Sequence, residues 1–564
     1  MIFSTFIFII FYLIIVFSSL GFGLFFFKII RINIKNFNFG YAGLCGIFFL
    51  IFISFITHFF LPHNSLHNSI IHTFGLIYFL LFLVKKKEIN KNFIKLIIIT
   101  LLFISGLFLS KNNEDFPYYH LPFAMQIVEH KLQFGISHFN TAFRTPSSLF
   151  YLHSLFYLPY IKYYLFHASG LIILTFFNFI LINKFFFEKY SNNEKIEKIL
   201  SILIFVYINT SFSRLAEYGT DRAAQIIIFL IFIMIFNVLT NKKFIIEKLK
   251  IIFVLLLFTI SIKSYFYSYL ILVLFLFFIL YKSGKIKEFF SNQVFNIIFF
   301  LFIFLLFILN LTNTGCLIYP LKITCFDKLF WAVSIESVTN FSNWYELWSK
   351  AGATPNFRAD NPVSYLKFLA WIPGWFERYF FTKVTDHLFV ISIIVIYFLF
   401  FFKKKKKKIN YQINISLIIV VLFIIIFLFL VWFFKHPDLR YGGYVITVML
   451  FFVPVSILLL NYNFENNKKI ILTMLITILI FNFKNFTRIR AELDRVDIYK
   501  YKNFPFFHIE NVNYKEFIIS NNVKVFLVTD TMCWATPTPC VAGIVDNKKI
   551  FNYLFFFPKS NIFN

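Results

Sequence analysis

The sequence predicts an all-helical, polytopic membrane protein, and three observations carry that prediction. Of its 564 residues 59% are hydrophobic, 91 are Phe and only 14% are charged. Apolar runs of about 17 to 25 residues recur along nearly the whole chain, the length needed to cross a bilayer. These runs do not alternate polar with apolar, so they read as helices whose backbone groups are satisfied internally, and a membrane barrel is excluded. The third observation is where the charge sits. Lys and Arg number 54 against 26 Asp and Glu, a net charge of +28, but the lysines cluster in connectors such as Lys85-Lys86-Lys87 and the run 403–408. That is a topology signal of cytoplasmic loops, and such short connectors cannot build the folded basic face that nucleic acid needs.

About fourteen spans meet the length criterion. They lie near 2–27, 41–61, 68–84, 93–110, 163–183, 198–211, 222–240, 251–262, 266–281, 294–311, 386–402, 413–434, 444–461 and 469–483. The first is long enough to span and lacks the basic start of a cleavable signal peptide. Placing the basic connectors inside gives a path that alternates consistently to the end of the chain. A transmembrane domain over 1–483 then presents outer segments at 111–162, 211–221, 312–386 and 435–444, followed by an outer C-terminal segment, 484–564. Within the first outer loop, 147–164 is aromatic, dotted with His153 and broken by Pro159, and is expected to lie along the interface. In the tail, Val523-Lys524-Val525-Phe526-Leu527-Val528 alternates like a strand ahead of the turn-rich Thr536-Pro537-Thr538-Pro539, so a small α/β segment is expected there.

Cys316 with Cys325 and Cys533 with Cys540 fall in outer segments, while Cys45 lies alone in a span. Two local disulfides would fit an oxidising space such as a periplasm, and four free thiols remain the alternative. No zinc-like spacing accompanies them.

Two acidic stretches face the same side. The first, Asn113-Glu114-Asp115-Phe116-Pro117-Tyr118-Tyr119-His120, follows an apolar helix. The second, Glu217-Tyr218-Gly219-Thr220-Asp221-Arg222, precedes one. Acids at helix ends often only cap the helix, but ionisable groups beside a bilayer are costly and tend to mark substrate or ion sites. The form Asp115-Phe116-Pro117-Tyr118-Tyr119-His120-Leu121-Pro122 resembles the first outer loop of the GT-C class of membrane glycosyltransferases, including bacterial relatives of protein mannosyltransferases and lipid A aminoarabinose transferases. Asp221 matches the place of the second acidic residue in that class. The resemblance covers about residues 93–285. It implies a GT-C-like fold, a polyprenyl-phosphate-linked sugar as donor, and an active site facing the periplasm of a bacterial inner membrane.

Transfer of a sugar from a lipid phosphate to a hydroxyl needs a base for the acceptor proton as an oxocarbenium-like centre develops. Asp115 is the expected base, with Glu114 its competitor. His120 and Tyr119 stand within the same turn, His120 as a group that could orient the acceptor. Asp221 is expected to shape the site or to hold a divalent cation, Mg2+ or Mn2+; no resident metal site is read from the sequence. The leaving phosphate needs fixed positive charge. Arg440, in Lys435-His436-Pro437-Asp438-Leu439-Arg440-Tyr441-Gly442-Gly443-Tyr444, is the best candidate, its glycines letting backbone approach a ligand. Lys263, which interrupts an apolar stretch, and Arg222 follow, with Arg144 weaker. Snorkelling or pairing with Asp438 is the plain alternative for Arg440. Trp331, Trp344, Trp348, Trp371 and Trp375 read first as interface anchors.

The function expected is therefore transfer of a sugar from a polyprenyl-phosphate donor to an envelope lipid, glycan or protein acceptor. A transporter, flippase or polymerase of lipid-linked glycans is the rival, and a non-catalytic scaffold the third reading. No internal repeat of the kind transporters carry is found, and no Walker loop, dinucleotide turn or His-Glu-x-x-His motif is present.

Overall fold

The computed structural model describes residues 2–85, 90–109, 114–187, 194–215, 220–241, 243, 245–354, 359, 361–404, 415–464, 467–494, 504–529 and 532–559. Lys86, Lys87, the lysines at 405–408, Asn113, Glu217, Tyr218, Gly219 and Asp530 lie outside those residues. The chain is mostly helical, and among the described residues eleven helices are long and apolar enough to cross a membrane. Three of the fourteen spans expected, those near 93–110, 198–211 and 251–262, are not among these eleven. Asn90–Leu102 has 13 residues, short for a bilayer, and Lys195–Ser211 has 17, at the lower edge of that length, with Lys195, Glu197 and Lys198 in its first turn. Ile245–Ile262 reaches 18 residues but begins with Glu247, Lys248 and Lys250 in its first two turns.

Small residues set the packing of the first helices. A side chain added at Gly21 would stand 1.9 Å from the carbonyl oxygen of Gly75, and one at Gly46 1.8 Å from that of Ser19. Ile2–Ile29, Phe39–His58 and Ser65–Lys85 thus touch backbone to backbone, the close approach that drives helix association where lipid offers no hydrophobic gain. Polar pairs join the central helices. Asn178 and Asn209 donate to each other at 2.8 and 2.9 Å. Lys184 pairs with Glu197, whose other oxygen accepts from Asn237 at 2.6 Å. Each buried charge is thereby compensated, as burial in apolar surroundings demands.

Between the Asn90–Leu102 helix and the Ser169–Phe187 helix the chain folds into short helices and turns. A π-helical turn, Phe116–His120, leads into Leu121–Glu129. The turn Thr141–Arg144 precedes Ser148–Leu155. The interfacial helix expected over 147–164 is not what forms: all eight residues of Ser148–Leu155 are buried, because its apolar side chains pack inward against neighbouring helices.

The last long helix, Asn467–Asp494, runs on past the boundary expected at 483. Beyond it lie the strands β1 (Tyr514–Ile519), β2 (Val523–Val528), β3 (Cys540–Val541), β4 (Val545–Ile550) and β5 (Tyr553–Pro558). The first three form one sheet, antiparallel between β1 and β2 and parallel between β2 and β3. Strands β4 and β5 form an antiparallel hairpin. Val545 and Asn547 of β4 point inward and are buried, whereas Lys548 and Lys549 are exposed at its far end. Disulfides join Cys316 to Cys325 and Cys533 to Cys540, and Cys45 is a buried free thiol.

This C-terminal segment is stitched to the first connecting loop. Phe134 donates its N–H to the Leu554 carbonyl at 2.9 Å and accepts from Phe556 N–H at 2.8 Å. Glu129 accepts from both the hydroxyl and the N–H of Thr538, at 2.6 and 3.2 Å. The Trp534 N–H donates to the Pro117 carbonyl at 3.0 Å, two residues from Asp115.

Candidate functional site

Four charges from distant parts of the chain meet at one place. Asp115 sits at the N-terminal edge of the π-helical turn, Asp221 in the first turn of Thr220–Thr240, Lys263 just after Ile245–Ile262, and Arg440 in the tight turn Leu439–Gly443. The Arg440 guanidinium bridges the two acids: Nη2 donates to Asp115 Oδ2 at 3.2 Å and Nε to Asp221 Oδ2 at 3.0 Å. Lys263 takes the other oxygen of Asp221. Asp221 is only 3% exposed at its side chain, whereas Asp115 is 33% and Arg440 36% exposed. Asp221 is therefore the buried anchor, and Asp115 and Arg440 are the reachable members. The ion pairs supply the compensation that a buried carboxylate requires.

The turn that carries Arg440 is held from three sides. Asp438 Oδ1 accepts from the Arg440 N–H at 2.9 Å and from the Tyr379 hydroxyl at 2.6 Å. The Trp432 indole donates to the Asp438 carbonyl at 2.7 Å, and Gln225 donates to the Arg440 carbonyl at 3.0 Å. Asp438 thus binds the backbone of Arg440 and leaves the guanidinium to the other two acids. Gly442 has φ +83° and would meet Tyr265 at 3.1 Å if it carried a side chain, and Gly443 would meet Trp432 at 2.7 Å. The glycines let the turn approach these aromatic rings, a packing reason where approach to a ligand had been expected.

Asp115, Lys263 and Arg440 line a cavity of about 1260 Å³. Glu114 and Tyr119 lie on the same wall, with Thr141, Arg144, Tyr319, Tyr345 and Tyr441. The helix Ile335–Lys350 closes one side, presenting Phe341, Trp344, Tyr345 and Trp348 to the cavity. Lys263 rests over the Tyr441 ring at 4.6 Å. Burial first, and then the charge of Asp115, hold the Tyr119 phenol well above its ordinary value, so it is a neutral hydrogen-bonding group. Burial likewise lowers the His436 imidazole, another wall residue, to about 4.

Two of the residues expected at the site stand elsewhere, and Asp221 lies beneath it. Arg222 is not on the wall. It is sandwiched between the rings of Phe212 and Tyr444, at 4.1 and 4.0 Å, a cation–π arrangement that corrects its expected role as a phosphate contact. His120 is buried behind the wall, its ring against Tyr119 at 4.3 Å and Phe150 at 5.2 Å, which corrects its expected contact with the acceptor. Asp221 reaches the cavity only through Lys263 and Arg440. As for a divalent cation, the position between the two carboxylates is held by the Arg440 guanidinium, so this pair does not fit a metal ion in this arrangement. Among the described residues no group of three or more His, Cys, Asp or Glu converges as a metal site. Of the tryptophans, Trp371 and Trp375 are buried, with Trp375 donating to the Pro437 carbonyl at 2.8 Å. Trp375 thereby braces the approach to the Arg440 turn, a role the interface-anchor expectation did not contain.

The aromatic wall was only partly read from the sequence: Trp344 and Trp348 were expected first as interface anchors, and Phe341 and Tyr345 were not named. Its signal was present: positions 341, 344, 345 and 348 follow the three- and four-residue spacing of a single helix face. The clamp between Glu129 and Thr538 carries no such local signal, because it joins residues 409 positions apart.

No curated protein and no solved structure matches the chain. One family model, described as "Domain of unknown function (DUF8201)", matches residues 5–447, and the chain belongs to that family.

Proposed function

We propose that this multi-pass protein is a glycosyltransferase that moves a sugar from a polyprenyl-phosphate donor to an envelope lipid, glycan or protein acceptor, working at the periplasmic face of a bacterial inner membrane. One observation carries the reading: a carboxylate on the wall of a cavity large enough for more than one reactant is joined through one guanidinium to a second, buried carboxylate from a separate connection. Ligand pockets commonly measure about 300–1,000 Å³, so a volume of about 1260 Å³ leaves room for a sugar and an acceptor side by side. The GT-C resemblance of the Asp115 turn supports the same reading.

Asp115 has the reach for a base. Its Oδ2 is held by Arg440, and its Oδ1 accepts no hydrogen bond from the described residues. An acceptor hydroxyl placed there would give its proton to the carboxylate as its oxygen bonds to the anomeric carbon, while the bond from that carbon to the phosphate oxygen breaks and the prenyl phosphate leaves with the electron pair. Arg440 holds Asp115 in place at the cavity. Asp221 and Lys263 fix Arg440, and Glu114, exposed beside Asp115, is the reserve acid. No metal is needed in this scheme. Asp115→Asn keeps the shape and removes the base, and is expected to lower transfer about 10²–10⁴-fold with unchanged abundance in the membrane. Full transfer by that variant would remove the mechanism.

A further inference from the structure

The charges at the site do not all cancel in the same way. Arg440 and Lys263 are matched one for one by Asp115 and Asp221, so this cluster is neutral and offers no spare positive charge to an anionic ligand. Arg488, also on the wall, pairs with Glu492 at 2.9 Å. Arg144 differs. It lines the same cavity, yet among the described residues no carboxylate pairs with it, and its Nε has no acceptor. The polar group set against it is the Tyr319 phenol, itself neutral and buried.

Its placement is built into the fold. Asn140 caps the Thr141–Arg144 turn by accepting from the Ala142 N–H at 2.9 Å, and Ser147 caps the next helix by accepting from the Leu149 N–H at 3.2 Å. Ser148 then accepts from the Ser261 hydroxyl at 2.8 Å, two residues before Lys263. Thr141 meets the Tyr118 hydroxyl at 3.0 Å, three residues after Asp115. The Arg144 turn is therefore tied both to the Asp115 turn and to the Lys263 helix end. A half-buried guanidinium without a counter-charge is costly when empty, and its planar fork suits a phosphate or a carboxylate.

We infer that Arg144 is the anion seat of the cavity: it receives an oxyanion of the ligand, while Arg440 and Lys263 serve the carboxylates. This rests on the transferase reading and adds to it that one reactant carries a phosphate or carboxylate set apart from the Asp115–Arg440 pair. The donor's phosphate and an acidic group on the acceptor are the two sources.

The test uses the full chain in detergent and binding alone. Tryptophan fluorescence, with Trp344 and Trp348 on the cavity wall, follows farnesyl phosphate against farnesol, and glucuronic acid against glucose. Arg144→Gln is expected to weaken one of the two anions about 10- to 100-fold and to leave its neutral counterpart unchanged, with Arg144→Lys intermediate. Loss confined to farnesyl phosphate assigns the seat to the donor, and loss confined to glucuronic acid assigns it to the acceptor. A second measurement needs no variant. Modification of Arg144 by phenylglyoxal, read by peptide mass spectrometry, should slow with the bound anion and not with its neutral counterpart. Undiminished binding of both anions by Arg144→Gln, or no protection of Arg144 by either, overturns the inference. Neither readout depends on turnover, so an anion seat can stand or fall independently of what Asp115→Asn does to transfer.

Discussion

Arg440 is the residue through which the two acids communicate, and its fork explains why. Two of its nitrogens reach two different carboxylates, a geometry a lysine cannot reproduce with one ammonium. Arg440→Met should leave Asp221 with Lys263 alone and Asp115 unheld, lowering stability by about 1–3 kcal/mol in thermal unfolding and abolishing transfer. Arg440→Lys should recover part of the stability and little of the activity. Protons act on the site through His436. Its ordinary value is 6.5, and burial takes it to about 4, so it is neutral in both folded and unfolded chains above pH 6.5. As pH falls from about 6.5 towards 4, the unfolded chain takes up the proton first and stability drops. Burial also lowers His63, His130 and His138, so the whole protein should lose stability on acidification. His436→Gln should reduce the difference in melting temperature between pH 7 and pH 5, corresponding to about 1–2 kcal/mol at pH 5; an unchanged difference would place His436 in contact with water.

At the scale of elements, the sequence could name the charged residues because charges beside apolar helices are expensive and therefore few. Asp115, Asp221, Lys263 and Arg440 were all visible on that ground. What they touch was not visible. Arg222 was also expected as a phosphate contact, behind Arg440, but its surroundings are Phe212 and Tyr444, and only the packing of three helices brings those rings together. The strand at β2 was readable from its alternation of polar and β-branched residues, whereas its pairing with Cys540–Val541 depends on a loop closed by the Cys533–Cys540 disulfide. The Leu439–Gly443 turn shows how an element can be fixed by one residue. Gly442 adopts φ +83°, a conformation that costs other residues about 1–2 kcal/mol. Gly442→Ala should therefore lower stability by about that amount and displace the Arg440 guanidinium, measured as a lower melting temperature and weakened transfer. Wild-type behaviour would show that the turn relaxes without strain.

For the whole molecule, helix number is where expectation and structure differ: among the described residues eleven helices have the length and apolarity of a span, against about fourteen expected. Hydropathy marks apolar stretches well, but it does not say where a helix stops, and Asn90–Leu102 ends after 13 residues. The shared cavity of Asp115, Lys263 and Arg440 is the arrangement that one common membrane side requires. It is assembled from connections separated by as many as 325 positions, with the C-terminal segment bracing the Asp115 turn through Trp534 and Pro117. A double-mutant cycle between Asp115 and Arg440 tests that assembly most directly, using Asp115→Asn, Arg440→Met and the two together in thermal unfolding of the purified full chain. Contact through the guanidinium predicts a coupling of about 0.5–3 kcal/mol, whereas effects that add to within about 0.5 kcal/mol would mean that the two side chains do not meet and that the site is not the one described.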